Sequence, residues 1–212
     1  MQDNAIRSAA RSGVRLERFT VGWMVLESIV ALAAGITARS VLLTAFGLDS
    51  VIELISGGIL LWRLSVEAKG GDVGRVEGVE ARAAAISAVL LVVLSIYVVV
   101  TPVLGLLIHL EPAGSLPGIA ISIAAVIVMP ILARSKSRVN VTIRSGALKA
   151  DIAETITCAY MAGTVLLGVA LNFFLGWWWA EYLAALVLLI WLVPETREAI
   201  LHARGEEPED HD

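Results

Sequence analysis

The chain has 212 residues, of which 58% are hydrophobic and 17% are charged, and its mean hydropathy is +0.81. A water-soluble domain of this length could not bury so much apolar surface, because apolar residues make up only about half of such domains. The composition therefore excludes an ordinary soluble protein and predicts an all-α, polytopic membrane protein. The single cysteine, Cys158, excludes an internal disulfide.

Six apolar stretches predict six transmembrane helices, because about 20 residues at a rise of about 1.5 Å cross a hydrocarbon core. In chain order these stretches are 19–38, 40–63, 83–108, 115–134, 147–174 and 178–194. The six-helix domain thus covers 19–194, between an N-terminal segment, 1–18, and a short acidic tail, 195–212. Only Arg39 separates the first two spans, which predicts a tight helical hairpin. The charged residues from 69 to 82 predict a solvated loop after the second span.

The basic residues predict the orientation of these spans. Of the 16 Lys and Arg residues, all but Arg39 lie at the termini or in and beside the loops that follow the second and fourth spans. Loops rich in Lys and Arg stay on the cytoplasmic side of a membrane. We therefore expect both termini to be cytoplasmic, in either a cell membrane or a vesicle membrane.

Four carboxylates lie well inside the predicted spans: Glu27 in the first, Asp49 and Glu53 in the second, and Glu154 in the fifth. A charged side chain at the centre of a bilayer costs about 2.5–3.5 kcal/mol on insertion scales. Few basic residues lie at that depth to compensate them, so the pattern indicates a ligand that brings positive charge, either a metal ion or protons. Asp151 lies one turn nearer the cytoplasm, where we expect it to line the entrance.

The spacing of these residues indicates two facing pairs. Asp49 and Glu53 are four residues apart, so they project from one face of their helix about one turn from each other. Glu154 and Cys158 have the same spacing in the fifth span. The two pairs therefore offer four side chains that could bind one metal ion.

A longer register relates the two helices. Each pair follows a serine, Ser40 or Ser145, by nine and thirteen residues. Because the second and fifth spans run in opposite directions, we expect both pairs to arrive at a similar depth near the middle of the membrane. This is the arrangement of an inverted-repeat carrier with its site at mid-membrane.

Two of these residues keep alternative interpretations. Glu27 could be a fifth ligand, a proton acceptor or a partner in helix packing. Cys158 could be a small buried hydrophobe or, as a thiolate, a ligand that favours zinc or cobalt over manganese. A site made only of carboxylates would instead suit manganese or iron(II).

The stretch Ser-Val-Leu-Leu-Thr-Ala-Phe-Gly-Leu-Asp-Ser-Val-Ile-Glu at 40–53 resembles the second helix of the cation diffusion facilitator family. The stretch 145–158 is similar to the fifth helix of that family, and 177–185 is similar to the start of its sixth. The resemblance implies a homodimeric exchanger that moves zinc or a similar ion out of the cytoplasm against protons. It also implies that the metal ligands are Asp49, Glu53, Glu154 and Cys158.

The chain departs from the family pattern at three points. Glu154 stands where His or Asp is usual, and Cys158 stands where Asp is usual. The family's cytoplasmic C-terminal domain does not follow the sixth span, so this short form resembles the branch that includes a vesicular zinc transporter. We expect Zn²⁺ as the substrate, with Mn²⁺, Co²⁺ or Fe²⁺ as alternatives and protons as the counter-ion.

Two other classes of function fit the same sequence. A proton-coupled carrier of a small non-metal cation would also place acids in the membrane, and a non-transporting scaffold could use them in polar contacts between helices. The sequence contains no recognisable nucleophile–base arrangement, so we expect no enzymatic activity. We also expect the lipid bilayer and a second copy of the chain as partners, and no nucleic acid.

Overall fold

The computed structural model describes residues 2–69, 74–143 and 146–204, and within these ranges it consists of six α-helices. The helices are α1 (Gln2–Ala38), α2 (Val41–Ala68), α3 (Gly74–Leu107), α4 (Leu116–Ile143), α5 (Gly146–Leu175) and α6 (Trp178–Arg204). The predicted all-α class is therefore confirmed. Ser145 and the end of the acidic tail, 205–212, lie outside the described residues.

Five of the helices are long and apolar enough to cross a membrane. Their candidate spans are Arg11–Ala38, Val41–Val66, Ala84–Leu107, Leu116–Ile143 and Leu148–Leu175. These spans contain most of the first five apolar stretches in the sequence. The crossing of the membrane by α6 and the cytoplasmic location of both termini stay predictions.

Several helices extend beyond the apolar stretches that predicted them. The loop expected at 69–82 is wrong from Gly74 onward, where α3 already begins. At the other end of the chain, α6 continues through Pro194 as far as Arg204. Charged residues such as Arg and Glu are good helix formers, and the exposed Pro194 removes one backbone hydrogen bond that water or neighbouring groups can replace. An apolar stretch therefore marks where a helix meets lipid, while the helix itself can be longer.

The second helix lies at the centre of the bundle. Among the described residues it packs against α1, α3, α5 and α6, whereas the main contacts of α3 are with α2 and α6. The outward side of α3 carries a stripe of exposed apolar residues: Ile86, Val89, Val93, Ile96 and Val100. A stripe of this kind at helical spacing is typical of a surface in contact with lipid. Polar side chains on α2 are therefore held far from the lipid.

The hairpin between α1 and α2 is as tight as predicted. Arg39 has a φ of 55°, in the left-handed region, and the amide of Ser40 donates to the carbonyl of Gly35 at 2.9 Å. This is a common way to end a helix. A side chain at Gly35 would place its Cβ 2.7 Å from the amide nitrogen of Thr44, and one at Gly47 would place it 2.9 Å from that of Leu32. The two helices are thus in near-backbone contact.

We predict that Gly35→Val destabilises the protein. The new side chain would collide with the backbone of α2, and overpacking of this kind costs about 1–3 kcal/mol. Thermal unfolding in detergent measures the effect. Gly22→Val is the matched control on the same helix, because no atom lies within 4 Å of a Cβ placed at Gly22. Equal unfolding temperatures for the two variants would contradict the close packing.

Candidate functional site

The second helix carries two carboxylates into the interior. Asp49 is fully buried and Glu53 is 2% exposed. Neither carboxylate accepts a hydrogen bond from any residue that the structure describes. Burial of an ionised group without a partner is strongly unfavourable, and such groups are normally paired or bind metal ions. These two side chains are therefore available to a ligand that enters from elsewhere.

The fifth helix presents its pair to the same interior. Cys158 is fully buried, and the half-buried Glu154 lines a cavity together with Glu53. Glu154 is close enough to Asp49 for their charges to interact, and Glu53 interacts with both of them. Cys158 interacts electrostatically with Asp49 and Glu53 as well. Glu53 and Glu154 therefore line one space between α2 and α5, while the binding of a metal ion by the four residues stays a prediction.

Glu27 reaches this region from α1, but its surroundings differ. The Nε1 of Trp23 donates to one carboxylate oxygen at 2.5 Å, and the hydroxyl of Ser50 donates to the other at 2.9 Å. The thiol of Cys158 lies 3.7 Å from the second oxygen and also donates to it. Glu27 thus joins α1 to α2 and α5. Among its three possible roles, helix packing is the one whose contacts are present, and the other two stay predictions.

Hydrogen bonds tie the helices together at the end of the bundle that carries the α1–α2 hairpin, which we call the outer end. The hydroxyl of Ser40, at the start of α2, donates to the carboxylate of Glu181 on α6. The side-chain amide of Asn172 on α5 donates to Glu181 at 2.7 Å and to the carbonyl of Pro112 at 3.0 Å. Buried polar groups that satisfy one another in this way hold helix ends in one arrangement.

These contacts fix the relative depth of the candidate residues. Ser40 and Asn172 lie at one level, because Glu181 bonds to both. Glu53 is thirteen residues from Ser40, and Cys158 is fourteen from Asn172, which places both about 20 Å below that level. Asp49 lies one turn nearer the outer end than Glu53, and Glu154 lies one turn nearer the inner end than Cys158. The two pairs are therefore staggered, and only Glu53 and Cys158 lie at the same level. The repeated spacing determines where the residues lie within each helix, but it does not determine how far one helix is displaced along the other.

A buried ion pair connects three helices nearer the other end, which contains the chain termini and which we call the inner end. The ammonium of Lys136 on α4 lies 3.1 Å from Glu17 on α1 and 2.6 Å from Asp151 on α5. It also lies 3.4 Å from the hydroxyl of Thr155. Lys136 is fully buried, and the two acids are 1% and 6% exposed. One cation thus compensates two carboxylates and holds α1, α4 and α5 together.

This ion pair was not predicted from the sequence, because Lys136 follows the fourth apolar stretch and Glu17 precedes the first. The available signal was helical spacing. Glu17, Thr20, Met24 and Glu27 recur every three or four residues, and all four are buried. The buried face of α1 therefore continues past the start of the apolar stretch that predicted the helix, as far as Glu17.

A cavity of about 210 Å³ lies in the inner half of the bundle, between α2, α3, α5 and α6. Five acidic residues contribute to its lining: Glu53, Asp151, Glu154, Glu195 and Glu198. The last two were missed because Pro194 was taken as the end of the sixth span. Asp151 lines the cavity on the inner side of Glu154, and its role at the entrance stays a prediction. In the part of the chain that the structure describes, no three Asp, Glu, His or Cys side chains stand together in the geometry of a finished metal site.

Helices that bury several unpartnered acids define a multi-pass membrane protein whose interior is suited to cations. Comparison with known families agrees with this class, since the model of the cation efflux transmembrane domain matches residues 21–203. The chain belongs to that family, and it is a membrane-embedded cation transporter. A search of curated proteins found no match to the chain.

We predict that Lys136→Met strongly destabilises the protein. It would leave two buried carboxylates without their cation, and breaking a buried ion pair on one side costs about 3–5 kcal/mol. Thermal unfolding in detergent measures the change. Lys149→Met is the matched control, because Lys149 is exposed on α5. A Lys136→Met protein as stable as the control would contradict the structural role of the ion pair.

Proposed function

We propose that this protein carries a divalent metal ion, zinc foremost, across the membrane by alternating access, with protons as the counter-ion. The observation that supports the proposal is the state of Asp49 and Glu53, which are buried, accept no hydrogen bond among the described residues and face the α5 pair. Carboxylates in such surroundings need positive charge, and a metal ion supplies two units of it at once.

The ligand set that we propose consists of Asp49, Glu53, Glu154 and Cys158. Their positions overlap at one level, and the stagger between the two pairs leaves one carboxylate above that level and one below. Asp49 and Glu154 lie on opposite sides of that level, about 13 Å apart along the helix axes, so a shift of α5 along α2, together with rotamer changes of the two glutamates, would bring the four side chains to one ion. Three carboxylates and one thiolate form a donor set that zinc accepts in tetrahedral geometry.

The proposed cycle has two half-reactions. With the outer end tied together and the cavity in the inner half, a metal ion enters from the inner end, which we take to be cytoplasmic. It displaces protons from the acids, the bundle rocks open to the outer face, and protons from outside return to release the ion. We further propose that the protein acts as a homodimer of the short form resembling the vesicular branch, in a cell or vesicle membrane.

We predict that Asp49→Asn lowers zinc transport by about tenfold or more, because loss of even an outer-shell group at a metal site costs about 10- to 100-fold in affinity. Zinc uptake into proteoliposomes, with an internal pH dye to record proton movement, measures the effect. Glu111→Gln is the matched control, since Glu111 is an exposed acid in the loop after α3.

The same assay separates the rival functions. Transport of a small organic cation but of no metal would favour the non-metal carrier. Absence of any flux in the wild-type protein, with Asp49→Asn folded and indistinguishable from it, would favour the scaffold. Competition among zinc, manganese, cobalt and iron(II) then ranks the substrates.

Cys158→Asp tests the choice of metal. An all-carboxylate site suits manganese better than a site with a thiolate does, so we expect the ratio of zinc to manganese transport to fall by about tenfold. Cys158→Ser, which keeps the size but not the thiolate, is the control for packing against Glu27. An unchanged metal ratio in Cys158→Asp would show that the thiol is not a ligand.

A further inference from the structure

Glu195 is a half-buried acid outside the proposed ligand set. It lies on α6 one residue after Pro194, within the helical segment that continues to Arg204. Its side chain lines the cavity, and its Oε2 atom is buried and accepts no hydrogen bond among the described residues. A glutamate kept only for packing normally has a donor for each buried oxygen. This oxygen therefore has the same unmet need for a partner as the carboxylates of α2.

The surroundings of Glu195 are strongly acidic. Its charge interacts with those of Asp49, Glu154 and Glu198, and Glu53 in turn interacts with Glu195. Of the residues that line the cavity in the described ranges, none is Lys, Arg or His. Such a cavity concentrates cations and excludes anions.

The depth of Glu195 follows from the outer hydrogen bonds. Because α2 and α6 run in the same direction and are joined by Ser40 and Glu181, positions along them can be compared directly. Glu53 is thirteen residues from Ser40, and Glu195 is fourteen from Glu181. At about 1.5 Å per residue, both lie about 20 Å from the outer level. A third helix thus brings a carboxylate to the level where the two pairs overlap.

We propose that Glu195 is a direct cation-binding residue of the transport path, and that with Glu154 on the neighbouring α5 it forms an entry site for a partly hydrated divalent cation. The volume of about 210 Å³ leaves room for several water molecules around an ion. Two carboxylates with water favour many divalent ions, so this site captures the cation with little discrimination. Selection among metals falls to the thiol of Cys158, which lies one turn farther along α5 than Glu154.

This inference rests on the proposed transport function, and its test separates the two. Zinc transport is measured in proteoliposomes for the wild type, Glu195→Gln, Glu195→Asp and the exposed control Glu111→Gln. We expect Glu195→Gln to raise the KM for zinc by about tenfold, the scale of an auxiliary metal contact, with a smaller change in kcat. Glu195→Asp, which retains the charge on a shorter chain, should recover much of the lost affinity.

A direct binding measurement completes the test. Equilibrium binding of Zn²⁺ to the detergent-solubilised full chain should be weaker in Glu195→Gln than in the wild type and in Glu111→Gln. Thermal unfolding should show Glu195→Gln to be no less stable than the wild type, since no hydrogen bond to Oε2 is lost.

The outcomes are distinguishable. An unchanged KM and unchanged zinc binding in Glu195→Gln, beside an active wild type, would overturn the entry site and leave the transport function standing. An inactive wild type would overturn the transport function itself. A third outcome combines two results: Glu195→Gln unfolds and loses zinc binding, and Glu195→Asp is folded but does not recover zinc binding. That outcome would assign Glu195 a structural role and would also overturn the inference.

Discussion

A carboxylate inside a membrane must be compensated, and the way in which each buried acid is compensated organises this protein. At the outer end, Glu181 is bonded by a hydroxyl and an amide. Near the inner end, Glu17 and Asp151 share the ammonium of Lys136. Between these levels, Asp49 and Glu53 have no donor among the described residues. Local partners thus stabilise the two ends, while the middle depends on a charge that comes from outside.

The difference between the paired acids at the two ends and the unpaired acids between them explains how one bundle can be stable and still bind and release a cation. Fully satisfied networks fix helices in one arrangement, whereas unsatisfied groups favour whatever ligand neutralises them. The acids that have a partner join helices to one another: Glu181 joins α2 to α6 and α5 at one end, and the acids paired with Lys136 join α1 to α4 and α5 at the other. Glu53, which has no donor among the described residues, lines the cavity between α2, α3, α5 and α6, so a cation bound there would lie between helices that the paired acids hold.

Much of this arrangement could be predicted from the sequence. The spacing of Asp49 and Glu53, together with the matching register in α5, predicts that two helices face each other with polar side chains, and in the structure Glu53 and Glu154 line one cavity. The apolar stretches located five spans well. These features are local in the sequence, because a helix fixes which side chains share a face.

The buried acids and the lysine beyond the apolar stretches could not be predicted from local sequence patterns. Glu17, Lys136 and Glu195 all lie just past the ends of apolar stretches, where a charged residue is equally compatible with solvent. Their burial depends on the neighbouring helix being long enough to cover them, which is a property of the assembled bundle. The stagger between the pairs was missed for a similar reason, since only contacts such as Ser40 with Glu181 determine how far one helix is displaced along another.

The near-backbone contact at Gly35 and Gly47 has a mechanical consequence. Two helices that touch through glycines have no side chains between them that could rearrange, so we expect α1 and α2 to move as one rigid unit. The hydrogen bond between Glu27 and Ser50 would then persist throughout the proposed transport cycle. Cys158 lies on α5, which is not held to α1 in this way. The distance from its sulfur to Glu27 would therefore report movement of α5 relative to the α1–α2 pair.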